Sequence, residues 1–196
     1  MEGGFTSKYF GGNPNRFIPA DKAKEILDDC AELGVKAIEF TGGGEPTVHK
    51  NWVEIIEHAQ GLGLKTGLIT NGVRLKPHPM LEKLTWLRVS LDAGTPETYE
   101  KIRDSKAWNQ VMKNLEMAGS LKGPLVGVGF VITHENWHEL AIACRLVKDF
   151  GISYVRVSAM FSEAGAGYYD GLIEGIQLRR SWAKALEDDT FKIVDF

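Results

Sequence analysis

Three short segments carry side chains suited to ligand chemistry. Thr41-Gly42-Gly43-Gly44-Glu45-Pro46-Thr47 sets three glycines directly before a carboxylate. Glycines let the backbone turn sharply and approach a ligand, baring N–H and C=O groups that side chains cover elsewhere. Glu45 suits a cationic ligand group better than a phosphate, and no Gly-Lys-Ser/Thr follows to make a phosphate loop. The competing reading is a tight turn with a solvated Glu. In Val89-Ser90-Leu91-Asp92, the strand period of two puts Ser90 and Asp92 on one side. A hydroxyl and a carboxylate pointing together into a barrel mouth would bind sugar hydroxyls. Equally, Asp92 caps the Ala93-Gly94-Thr95 turn. Thr70-Asn71-Gly72, taken alone, reads as a structural polar turn.

Further along, Gly127 and Gly129 share one face of an apolar run. They make room for a flat ligand or for tight packing, and packing is the commoner cause. Arg156 lies between apolar neighbours; it faces an anionic group or, the favoured reading, pairs with a carboxylate elsewhere. His134-Glu135-Asn136-Trp137-His138 satisfies H-E-x-x-H, the zinc-protease pattern. That chemistry needs both imidazoles one helical turn apart, and a helix opening at Asn136 leaves His134 outside it. The spacing from Asn136 to Glu139 resembles a capping box for a helix running to Asp149. The five tryptophans read as packing residues, and Arg179-Arg180 as a solvated helix face.

Alternating strands and helices must position these groups. Apolar, β-branched runs at 35–41, 64–70, 86–92, 125–133, 154–159 and 191–196 read as strands. Between them, 22–33, 52–59 and 108–115 show apolar residues at i, i+3, i+4 and i+7, an α-helical stripe. Thr95-Pro96 reads as an N-cap and first helical residue, opening a helix through Arg103. Gly34, Gly63 and Gly151 fall just past helix ends, where a left-handed residue is needed. Residues 1–19 and 162–171 read as loops. The expected fold is α/β, with parallel β/α repeats and right-handed crossovers over 20–160, then a last helix and the start of a further strand. Such a sheet places its ligands at the carboxyl ends of its strands, where these segments lie.

Composition agrees. The 196 residues are 43% hydrophobic and 25% charged, which excludes disorder and suffices for one domain. The net charge of −3 gives no basic nucleic-acid footprint. No apolar run could span a bilayer, and a cytoplasmic protein is expected.

Together, Gly43-Gly44-Glu45, Thr70-Asn71-Gly72 and Ser90-Leu91-Asp92-Ala93-Gly94, the last followed by Tyr99 to Arg103, resemble the core of radical S-adenosylmethionine (SAM) enzymes over residues 22–160. The resemblance implies an incomplete, partial TIM-like barrel that binds a [4Fe–4S] cluster and SAM. It implies reductive cleavage of SAM to a 5′-deoxyadenosyl radical that abstracts hydrogen from a peptide, RNA or small-metabolite substrate, with flavodoxin or ferredoxin as electron donor. By position, Gly43, Gly44 and Glu45 would meet the methionyl amino group, with Thr70 and Asn71 beside them. Ser90 and Asp92 would meet the ribose, and backbone at Val131 and Ile132 the adenine. Arg103 and Arg156 would be carboxylate partners.

The family's Cys-x3-Cys-x2-Cys cluster motif, in the loop after the first barrel strand, is absent. Cys30 and Cys144 have neither the spacing nor the position, and each reads as a small buried hydrophobe on a helix. The expected ligands lie upstream of Met1, and Met1-Glu2-Gly3-Gly4 fits the residues just after the third family cysteine. An internal fragment, truncated at both ends, is expected; the alternative is a cluster-less module binding SAM or a related nucleoside. Without the first strand, the edge at 35–41 is apolar and unpaired, so poor expression is expected of this span alone.

Overall fold

The computed structural model describes residues 17–195. The segment 1–16, with the proposed cluster-proximal residues, lies outside that range, as does Phe196. The chain runs α1 (Ala20–Glu32), β1 (Ala37–Phe40), α2 (Trp52–Gly61), β2 (Lys65–Thr70), α3 (Pro79–Glu82) and β3 (Trp86–Ser90). It continues with α4 (Pro96–Arg103), α5 (Trp108–Gly119), β4 (Leu125–Ile132), α6 (Leu140–Asp149), β5 (Tyr154–Ala159), α7 (Ile173–Lys184) and β6 (Lys192–Asp195). The strands form one parallel six-stranded sheet in sequential order, β1 to β6, and the sheet is open. This is the expected α/β architecture of successive β/α repeats.

Alternation divides each strand between two environments. Leu68, Leu87, Val89, Val126, Val128, Val155 and Ile193 bury against the helices in the main core. The opposite face is concave and more polar, carrying Glu39, Arg88, Ser90, Tyr154 and Arg156 at matching registers. A second, smaller core of Leu27, Ile55, Ala59 and Leu64 lies under α1 and α2.

Local signals account for most element ends. Thr95 Oγ1 accepts from the Thr98 N–H at 3.4 Å, and Pro96 opens α4. Gly34, Gly63 and Gly151 have φ of 77–81° just past α1, α2 and α6. The region 162–171 holds a short 3-10 turn, Gly165–Tyr169, rather than plain loop.

Four expectations fail in whole or in part. The Asn136 spacing does not make a capping box: a 3-10 turn, Trp137–Glu139, precedes α6, and neither Asn136 nor Glu139 caps it. Cys30 is half-exposed, whereas Cys144 is buried, which pushes its thiol up to about 12. Arg180 is not simply solvated. It reaches Asp195 on β6 at 2.8 Å, while Arg179 stacks over Trp182. Trp52, Trp108 and Trp137 pack against the core, but Trp86 stands on the concave face and Trp182 is 47% exposed.

Candidate functional site at the carboxyl edge

The glycine-rich loop leaves β1 at its carboxyl end, with Gly42, Gly43 and Gly44 exposed. Nothing lies within 4 Å of where a Cβ on Gly44 would stand, so the loop backbone is open to a ligand. Glu45 follows, half-buried rather than solvated. Its Oε1 accepts from the Thr47 N–H at 3.0 Å, from Thr47 Oγ1 at 2.6 Å and from Thr70 Oγ1 at 2.6 Å. Its Oε2 accepts from the Asn71 N–H at 2.6 Å. Glu45 therefore joins the loop after β1 to the turn after β2, and Thr70-Asn71-Gly72 is more than an isolated turn. Among the described residues Oε2 has one partner, which leaves room for another donor.

At the end of β3 the alternation expected to align Ser90 with Asp92 breaks down. The strand ends at Ser90, and Asp92 takes φ 58°, in the left-handed region. The Asp92 carboxylate turns to β4, accepting from the Val131 N–H at 2.8 Å, and pairs with Arg103 at 3.0 Å. Arg103 also donates to the Ser90 carbonyl at 3.1 Å, so Ser90, Asp92 and Arg103 form one group. Burial raises the Asp92 pKa above its ordinary value, opposed by the Arg103 charge and the Val131 N–H. Asp92 does not cap the Ala93-Gly94-Thr95 turn. Glu139 does, accepting from the Gly94 N–H at 2.7 Å, Thr95 Oγ1 at 2.8 Å and Thr98 Oγ1 at 2.7 Å. Burial alone would raise the Glu139 pKa, but donation from Thr98, Gly94 and Thr95 outweighs it and holds the carboxyl below its usual value.

Asn136 completes the arrangement. Fully buried, it donates from Nδ2 to the Asp92 and Val131 carbonyls at 2.9 and 2.8 Å. Its Oδ1 accepts from the Thr133 N–H at 2.7 Å. Asn136 and Glu139 escaped the sequence reading because their spacing looks like a helix cap. The signal that distinguishes them is the cluster of donors, Thr95 and Thr98, some forty residues upstream. The Ile132 carbonyl accepts from the Tyr169 hydroxyl at 2.9 Å. Backbone at Val131 and Ile132 is thus largely engaged within the chain.

Arg156 lies apart from the Asp92 group, on the concave face beside Gly129, and is not a free cation. The two glycines of β4 divide. A Cβ on Gly127 would lie 2.1 Å from the Tyr154 ring, so Gly127 serves packing. A Cβ on Gly129 would meet nothing closer than 3.9 Å, so Gly129 leaves space. His134 sits in a turn against Tyr168 and His138 in the 3-10 turn, so they do not share an α-helical turn. Among the described residues, no three His, Cys, Asp or Glu side chains group to hold a metal.

A parallel, open β/α sheet with a glycine-rich loop and an ion pair between buried Asp92 and part-buried Arg103 at its carboxyl edge defines a partial barrel built around an edge site. A family model for the radical SAM superfamily matches residues 5–147, and the chain belongs to that superfamily. The PqqA peptide cyclase of Bradyrhizobium diazoefficiens is 32% identical over 148 residues, 72% of this chain and 38% of the relative. A probable GTP 3′,8-cyclase of Methanopyrus kandleri is 35% identical over 161 residues, 79% of this chain and 52% of the relative. The chain thus spans about half the length, or less, of these relatives. In structure, Streptococcus suis SuiB bound to S-adenosylmethionine superposes with a TM-score of 0.71 at 16% identity, covering 93% of this chain and 45% of that one. SuiB has also been solved bound to the precursor peptide SuiA. No described helix is long and apolar enough to cross a membrane.

Proposed function

We propose that this chain is the SAM-binding core of a radical SAM enzyme. In such an enzyme a [4Fe–4S] cluster supplies the electron for reductive cleavage of SAM, and the resulting 5′-deoxyadenosyl radical takes a hydrogen atom from the substrate. Cys30 and Cys144 are the sequence's two thiols and lie on separate helices, so this chain's residues do not fit the cluster. Its own part is to bind and orient SAM.

The observation that carries this reading is the linkage of neighbouring strand ends through Glu45 and Asp92, beside open backbone at Gly42 to Gly44. An ammonium needs acceptors, which the uncovered loop carbonyls at Gly43 and Gly44 and the spare capacity of Glu45 supply, with Thr70 and Asn71 holding the carboxylate in place. Ribose hydroxyls need acceptors held in fixed positions. Asp92, tied by Arg103 and Val131, offers one beside Ser90. Backbone at Val131 and Ile132 would lie against the adenine, and Arg103 would meet the methionyl carboxylate, whereas Arg156 lies apart from Arg103 and is not assigned to it. A peptide is the favoured substrate class, supported by SuiB with its precursor peptide and by the PqqA peptide cyclase. A flavodoxin or ferredoxin would be the electron donor.

Calorimetric titration of SAM into the protein tests the assignment. Binding that weakens at least tenfold in Glu45→Ala and in Asp92→Ala, both still folded by circular dichroism, is expected. Unchanged affinity in both variants overturns the residue roles, and no binding to the wild type overturns the reading.

A further inference from the structure

The concave face holds a second, cationic feature below the carboxyl edge. Register places Arg88, Gly127, Tyr154 and Lys192 in one row across β3 to β6, and Ser90, Gly129, Arg156 and Val194 in the next row up. Trp86 stands one row lower, its ring lying over Gly67, where a Cβ would come within 2.2 Å of it. Arg88 sits over that ring at 5.4 Å and beside the Tyr154 phenol. Gly129 leaves the space above Arg88 clear, with Arg88 Cδ 3.9 Å from where its Cβ would be. Thr85, Trp86, Arg88, Leu125 and Tyr154 line a cavity of about 540 Å³ that also reaches Arg156 and Val194.

Charge is distributed unevenly here. The chain as a whole is −3, yet this face carries Lys65, Arg88, Arg156 and Lys192 against Glu39 among the described residues. Among those residues Arg88 meets an indole and a phenol but no carboxylate. A half-buried guanidinium, held on an aromatic ring beside open space, is a preorganised receptor for a planar anion.

We propose that this cavity receives a carboxylate of the substrate, bound chiefly by Arg88. The proposal rests on the SAM-binding reading, because it places the substrate beneath the edge where SAM would sit. A carboxylate fits better than a phosphate. Phosphate sites draw on free backbone N–H groups in glycine-rich loops or at helix N-termini, whereas the N–H groups of β4 and β5 here are engaged in the sheet ladder. The site instead offers a planar fork for bidentate contact.

The test is a ligand-observed NMR titration of the protein with three probes: N-acetyl-glutamate amide, its neutral isostere N-acetyl-glutamine amide, and inorganic phosphate. The glutamate probe should bind at least tenfold more tightly than the glutamine probe. Arg88→Gln should abolish that preference, and Arg88→Lys should restore it in part. Equal binding of the two amino-acid probes to wild type overturns the proposal without relying on any variant. Tighter binding of phosphate than of the glutamate probe, or an undiminished preference in folded Arg88→Gln, also overturns it. SAM titration of the same samples keeps the two readings apart: SAM bound without carboxylate preference sinks only the cavity, and the reverse sinks only the SAM site.

Discussion

The carboxyl edge has two halves, each tied by a carboxylate, and they are built to different standards. On the β1–β2 side, Glu45 is half-buried, its donors lie within 26 residues, and exposed glycines lead into it. Beneath that side lies the small core of Leu27, Ile55, Ala59 and Leu64. On the β3–β4 side, Glu139 is 4% exposed and Asn136 fully buried, and both bond residues on other elements, above the main core. Hydrogen bonds that water can replace cost little when broken, whereas buried donors and acceptors left alone cost their full desolvation. The β3–β4 half is therefore preformed, and the β1–β2 half can open locally at modest cost.

Removing Asn136 should break this contrast most visibly. Asn136→Ala strands the buried Asp92 carbonyl and Thr133 N–H and frees the part-buried Val131 carbonyl, and a loss of about 2–3 kcal/mol is expected. Urea denaturation measures it. A loss below about 1 kcal/mol would mean that water enters this half as easily as the other.

Glu139 gives the same contrast a pH signature. Its folded pKa is lowered, so the stability it contributes is present above its unfolded pKa and is lost as pH falls through the folded value. Asp92 has the opposite sign: its pKa is raised, so its contribution is full below the unfolded pKa and is lost as pH rises through the folded one. Glu139→Gln should cost about 1–2 kcal/mol at neutral pH and flatten the acid limb of a stability–pH curve. Asp92→Asn should instead steepen that limb. An unchanged acid limb in Glu139→Gln would show that its three donors are not holding an ionised carboxylate.

The fold was legible because it is written in local periodicity and punctuation. Alternating strands, helical stripes, Thr95-Pro96 and the glycines after α1, α2 and α6 each act over a few residues. The site was legible in part. The motif positions located the loops, but the contacts that join one strand end to the next, through Glu45, Asp92, Asn136 and Glu139, span twenty-five to forty-five residues, and no local pattern encodes those. Asn136 shows the difficulty plainly, since helix capping and loop bridging call for the same side chain at the same spacing. At Asp92, one left-handed residue defeated the strand alternation that located Ser90. Gly127 and Gly129 look alike in sequence and are told apart only by the ring of Tyr154 on the neighbouring strand.

Glu45→Gln should have a smaller effect than either change on the β3–β4 side. The amide keeps one oxygen for Thr47 and Thr70 but presents N–H groups to the Asn71 N–H, so about 1 kcal/mol is expected. Because the change acts on the more open half, hydrogen exchange should accelerate at Thr47 and Asn71 while protection in β3 and β4 stays constant. Faster exchange across all the strands would mean that the two halves unfold as one unit.

The smallest stability change is expected at Gly44, and for that reason it sharpens the contrast furthest. A methyl group there meets nothing within 4 Å, and the backbone is not left-handed, so Gly44→Ala should shift stability by less than about 0.5 kcal/mol. If the loop stays open so that its backbone can lie against a ligand, the same methyl group should weaken SAM binding severalfold. The two effects then separate: an edge residue with almost no role in folding and a clear one in binding. A variant that binds SAM as tightly as wild type would place the ligand away from the β1 loop, leaving the preformed β3–β4 half to hold it alone.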